Sequence, residues 1–167
     1  MTKRIFRSTF AVAAVVLLAS FVLITGVLYE YFSNKQMDQL NMQTHLAAQG
    51  VESAGADYFS DINVDGCRIT WIAADGTVLY DSRAQQSGME NHADRPEVRE
   101  ADEHGRGEVS RYSSTLGTVT LYSAVKLQNG DVVRLSETRE SLVAFFGGMM
   151  GPIALTLLVA IMLVFLL

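Results

Sequence analysis

Two uncharged apolar runs bracket the chain, and its polar residues lie mostly between them. Thr9–Tyr29 (TFAVAAVVLLASFVLITGVLY) and Leu142–Leu167 (LVAFFGGMMGPIALTLLVAIMLVFLL) carry no charged side chain. Each is long enough as a helix to cross about 30 Å of hydrocarbon. This predicts an N-terminal tail over 1–8, transmembrane helices over 9–29 and 142–167, and one domain over 30–141. The first run follows MTKRIFR, a basic lead-in. It exceeds the roughly 7–15 apolar residues of a cleavable signal, and no small-x-small site follows Tyr29, so it reads as an uncleaved anchor.

Beyond the anchor the pattern stays helical. Apolar residues recur at Tyr31, Met37, Leu40, Met42, Leu46, Ala47, Val51, Ala54 and Tyr58, nearer to a helical period than to alternation. A long helix to about Phe59 is predicted, a stiff stalk leaving the membrane, weakened at Gly50 and Gly55. SDINVDG (60–66) then breaks it, and the period changes to two. Cys67–Ala73 alternates, ADG (74–76) is a hairpin-type turn, and Thr77–Asp81 is a second strand. Asp94–His104 reads as a short helix, with Asp94 as cap and Pro96 in the first turn. Val109–Tyr112 and Thr118–Leu127 are further strands. Asn129-Gly130 is the strongest hairpin signal, since both residues tolerate positive φ, and Val132–Ser136 runs back. The order predicts an α+β domain: a long helix, a five-stranded antiparallel sheet and a short helix, with the helices on one face. Only Thr138–Ser141 would separate the last strand from the second run, leaving no slack to absorb a shift of the sheet.

Charge orients this arrangement. Lys3, Arg4 and Arg7 make the tail positive, whereas 30–141 holds all eighteen acidic residues against ten basic ones, a net of −8. The positive-inside rule then places the N-terminus in the cytoplasm and the middle outside, in a two-pass membrane protein in contact with lipid. An acidic outer domain is no partner for nucleic acid. The chain stops within its second apolar run without a basic cluster, as expected of a fragment lacking its cytoplasmic part. The single cysteine, Cys67, cannot form an internal disulfide and reads as a buried thiol.

Candidate chemistry gathers in Asn91–Ser113 (NHADRPEVREADEHGRGEVSRYS), which holds two of the three histidines. His92 and His104 match no metal-ligand spacing, and Asp94, Asp102 and Glu103 match no calcium loop. Ser113 and Ser123 lack a nucleophile elbow, so no catalytic residue is assigned. Arg106 and Arg111 are candidates for an anionic ligand, and Arg111, Tyr112 and Ser113 form a set able to donate hydrogen bonds. The plainer alternative for Arg111 is a salt bridge to the acidic helix. In the second run, Gly147 and Gly151 have the spacing that permits close helix approach.

ENHADRPEV (90–98), GRGEVSRYSSTLG (105–117), YSAVKLQNG (122–130) and VVRLS (132–136), with VLYDS (78–82) after the DG turn, resemble the extracytoplasmic sensor region of bacterial membrane histidine kinases of the PhoR/WalK-like group. The resemblance covers nearly the whole chain. It implies a PAS-like or Cache-like sensor fold flanked by two transmembrane helices, a homodimer, and a small-molecule or protein signal. It also implies a missing cytoplasmic part that uses ATP and phosphorylates a response regulator. The parent would be an ATP-dependent protein histidine kinase, while this chain carries no catalytic domain and no cofactor. Neither His45, His92 nor His104 is the phosphoacceptor. Asn91, His92, Asp94, Arg95, Arg111, Tyr112 and Ser113 are then a signal pocket or a structural brace.

Overall fold

A computed structural model describes residues 2–60, 66–85, 88–113 and 118–140, with 147–148, 151–153, 155–156 and 158. The elements are α1 (Thr2–Ala54), a 3-10 turn (Gly55–Phe59), β1 (Cys67–Ile72), β2 (Val78–Asp81), α2 (Pro96–His104), β3 (Arg106–Ser113), β4 (Thr118–Lys126) and β5 (Val132–Glu140). The chain separates into two compact units, Met1–Gln36 and Met37–Leu167.

The first unit is the N-terminal part of α1, and large apolar side chains such as Val15, Leu17 and Leu23 stand exposed along it. Such a surface suits hydrocarbon better than water. Among the described residues one helix, within Ala11–Phe59, is long and apolar enough to cross a membrane, with a mean hydropathy of 2.7. This corrects the two-pass topology expected from the sequence, together with the orientation drawn from it. Most of 142–167 lies outside the described residues. The apolar length of that run was the whole case for a second crossing. Its described residues are too few to make a helix of that length.

The second unit is a five-stranded sheet of order β2-β1-β5-β4-β3, antiparallel at every pairing. β5 is therefore central, although it is last in the chain. It pairs with β1 from Cys67↔Glu137 to Ile72↔Val132 and with β4 from Thr118↔Glu140 to Lys126↔Val132. The β4–β5 hairpin turns at Asn129-Gly130 as expected, but only Gly130 takes a positive φ, 90°. Asn129 contributes through its side chain instead, its Oδ1 accepting the Asp131 N–H at 3.0 Å.

Alternation along the strands gives the sheet two faces. On one, Leu40, Ala47, Ala48 and Val51 of α1 pack on Cys67, Ile69, Leu121, Val133 and Leu135. Met42 and Leu46, which the sequence pattern counted among the apolar positions, are 61% and 58% exposed. On the other face, Val98 and Ala101 of α2 meet Ile72, Ala124 and Val132. The helices thus cover opposite faces, not one. The cause is visible in the strands: the even positions Ile72, Ala124 and Val132 are apolar as well and need their own cover.

α2 starts at Pro96 with Arg95 as its N-cap residue, and no side chain caps it. Asp94, expected as the cap, is exposed one residue further out. Proline sets this boundary. Its fixed φ suits the first helical position, and it forces the preceding residue into extended backbone, as seen at Arg95 with φ −69° and ψ 130°. The close seat of α2 on β3 depends on Gly107. A Cβ there would overlap the Glu97 carbonyl oxygen and lie 2.9 Å from the Ala101 nitrogen. Both are helix backbone, so α2 would have to lift. Gly107→Ala is expected to cost about 1–3 kcal/mol, measured as a lower urea midpoint at unchanged slope.

Candidate functional site

The α2-covered face is built from charged side chains in the middle of strands. Arg68 and Thr70 lie on β1, Asp81 ends β2, Arg134 is on β5, Tyr122 on β4 and Arg111 on β3. Glu97, in the first turn of α2, is fully buried against them. Arg134 is 5% exposed and donates to Glu97 Oε1 at 3.2 Å. Arg111 donates to Glu97 Oε2. The two guanidiniums also flank one ring, with their Cζ atoms 4.4 Å (Arg111) and 5.5 Å (Arg134) from the Tyr122 centroid, a cation–π arrangement.

The network continues across the sheet. Arg134 Nη2 donates to Thr70 Oγ1 at 3.2 Å, and that hydroxyl donates to Asp81 Oδ2 at 2.9 Å. Arg68 Nε reaches both Asp81 oxygens at 2.9 and 3.0 Å. The Arg83 and Ala84 N–H groups donate to Asp81 Oδ1 at 2.9 and 3.0 Å, closing the turn after β2. Burial pushes the Asp81 pKa up, but these hydrogen bonds and the Arg68 charge outweigh it and hold the carboxyl below its ordinary value. Burial pulls the Arg134 pKa down, opposed by the charge of Glu97.

The loop before α2 docks onto the β1–β2 turn. Asn91 Nδ2 donates to the Asp75 carbonyl at 2.8 Å and its Oδ1 accepts the Ala93 N–H at 2.8 Å. The His92 N–H donates to the Gly76 carbonyl at 2.9 Å, and the Arg95 N–H donates to the His92 carbonyl at 3.1 Å. His92 is 6% exposed, and its Nδ1 has no hydrogen-bond partner among the described residues. Burial and the positive charges of Arg134, Arg95 and Arg68, only partly offset by Asp81, lower its pKa to about 4.

The residues singled out in the sequence therefore separate. His92 and Arg111 belong to the buried face. Asn91 fixes the loop, Arg95 stands 3.8 Å from Glu90 near the surface, and Asp94 is exposed. Arg111 and Tyr112 occupy alternate positions of β3 and face opposite ways, with Tyr112 57% exposed, so Arg111, Tyr112 and Ser113 do not converge. Gly147 and Gly151 are helical and exposed, and a Cβ on either would meet no described atom within 4 Å. Thr70, Asp81, Glu97, Tyr122 and Arg134 were not chosen from the sequence. The available signal was alternation: VVRLS puts a charge in the middle of an apolar strand, on the side opposite Val133 and Leu135.

Among the described residues no group of three His, Cys, Asp or Glu side chains is placed to hold a metal ion. His104 lies at the exposed end of α2, 4.0 Å from Glu103. Cys67 is free and buried; burial, then Glu137, pushes its thiol pKa up, which suits packing rather than reactivity. A cleft of about 980 Å³ is lined in part by Asp38, Asn41 and His45 of α1, Glu100 of α2 and Glu108 of β3. Its polar groups engage one another: Asn41 Nδ2 donates to Glu108 at 2.7 Å, and the Glu108 N–H donates to Glu100 at 3.2 Å.

A long apolar N-terminal helix with an α+β domain of PAS- or Cache-like shape is a membrane-associated, sensor-like architecture, consistent with an extracytoplasmic signal-input module. No family model matches the chain, and no curated protein matches it.

Proposed function

We propose that the chain is the signal-input module of a membrane sensor histidine kinase, with 9–29 as its anchor and 30–141 as its sensor domain. One observation supports this reading most. Arg134 of β5, the central strand, is held directly by Glu97 of α2 and Thr70 of β1, and through these two it is linked to Arg111 of β3 and Asp81 of β2. A stimulus that moves α2 must change how Arg134 is held, and Arg134 lies near the start of the strand that runs out to Glu140. Asn91, His92, Arg95 and Arg111 serve as a brace in this reading, with Glu97 and Arg134 at its centre. Two copies pair through the outer side of α1, where Met42 and Leu46 are exposed. ATP and the response regulator belong to the kinase body.

The test is a chimera of residues 1–167 on a histidine-kinase body, with autophosphorylation read in membranes. Glu97→Gln is expected to change the basal level at least threefold. Six Gly/Ser residues inserted after Glu140 are expected to abolish that difference. An output that ignores both changes would contradict the proposal.

A further inference from the structure

We propose that His92 is a proton-operated latch: protonation of its buried imidazole releases the loop 88–95 and the head of α2 from the charged face of the sheet. This names protons as a stimulus and rests on the input-module reading above.

The geometry carries the argument. His92 sits at the joint between three elements. Its N–H is held by Gly76 in the β1–β2 turn, and its carbonyl holds the N–H of Arg95, the residue that begins α2. Its side chain is 6% exposed, with nothing among the described residues at Nδ1 to receive a hydrogen bond. A proton added there would be a buried donor without an acceptor.

The charged neighbours make that proton worse placed: the charges of Arg134 on β5, Arg68 on β1 and Arg95 before α2 oppose it, against one carboxylate, Asp81 of β2. The other buried carboxylate, Glu97, is already held by Arg111 and Arg134. An imidazolium would be a fourth positive charge beside three guanidiniums in a poorly solvated space. Opening the loop hydrates it and relieves both penalties. The displaced part is the N-terminal end of α2, so Glu97 is drawn from Arg134 and the change reaches β5. At neutral pH the imidazole is uncharged and the latch stays closed, in keeping with a pKa that burial and the neighbouring arginines lower to about 4.

The test uses the full chain in detergent micelles. The imidazole of His92, followed by NMR, is expected to titrate with a midpoint near 4. Hydrogen exchange, corrected for its intrinsic pH dependence, is expected to rise at least tenfold in 88–99 relative to β4 and β5 between pH 6.5 and 4. His92→Gln is expected to remove the rise. A midpoint near 6.5, a wild-type chain without the rise, or a rise undiminished in His92→Gln would overturn the latch. The imidazole titration needs no variant, so poor folding of His92→Gln leaves the idea open to refutation. None of these measurements involves kinase output. Failure here removes protons as the stimulus and leaves the input-module reading standing, whereas failure of the chimera removes that reading and leaves the titration intact.

Discussion

Glu97→Ala is expected to destabilise the domain by about 3–5 kcal/mol, the usual cost of removing one partner from a buried charge pair. Glu97 has no exposed surface and accepts from both Arg134 and Arg111. Without it, Arg111, whose side chain is 32% exposed, can turn to water. Arg134 cannot. It is 5% exposed, its Nε already has no partner, and its remaining polar contact on this face is the Thr70 hydroxyl at 3.2 Å. The cost is therefore that of a guanidinium left buried and unpaired. Trp71, the one tryptophan, packs beside Phe59 and donates to Asp131 at 3.1 Å, so its fluorescence reports unfolding. For a domain of this size each kcal/mol lowers Tm by about 4–8 °C, so a fall exceeding about 10 °C is expected. Glu97→Leu combined with Arg134→Met should recover much of the loss, because matched apolar replacements of buried ion pairs are often neutral. A drop below about 5 °C for Glu97→Ala would show that α2 is held by Val98 and Ala101 alone.

The second large effect is on pH dependence. The His92 pKa falls from an ordinary 6.5 to about 4 on folding, so the unfolded chain binds this proton more readily. Stability from this residue is complete above pH 6.5 and is lost as pH falls toward 4. The loss approaches about 3 kcal/mol, since one pKa unit is worth about 1.4 kcal/mol. Asp81 acts in a different window. Its pKa is held below the ordinary 3.8, so its contribution is present above that value and lost only as pH drops further. Urea unfolding at about pH 7, 5.5, 4.5 and 3 separates the two. His92→Gln should flatten the slope between pH 6.5 and 4.5 and leave the fall below pH 3.8. Equal slopes in both proteins would mean that folding does not lower the His92 pKa.

Local chemistry was legible before any coordinates. The turn at Gly76, the hairpin at Asn129-Gly130, the short helix opened by Pro96 and the five strands all follow from preferences acting within a few residues. The long helix was legible from apolar spacing, although Met42 and Leu46 proved exposed and Thr44 buried. Tertiary structure decided the rest. Strand order was not readable, because β5 enters the centre between β1 and β4 through pairings across the whole domain. The dry state of the second face was not readable either. Arg68, Thr70, Tyr122 and Arg134 alternate with apolar residues, as a solvated face would. Whether such a face is wet depends on what lies over it, and the cover arrives from elsewhere in the chain: Glu97 meets Arg134 across 37 positions. A side chain's propensity is a property of its neighbours in sequence, whereas its burial is a property of its neighbours in space.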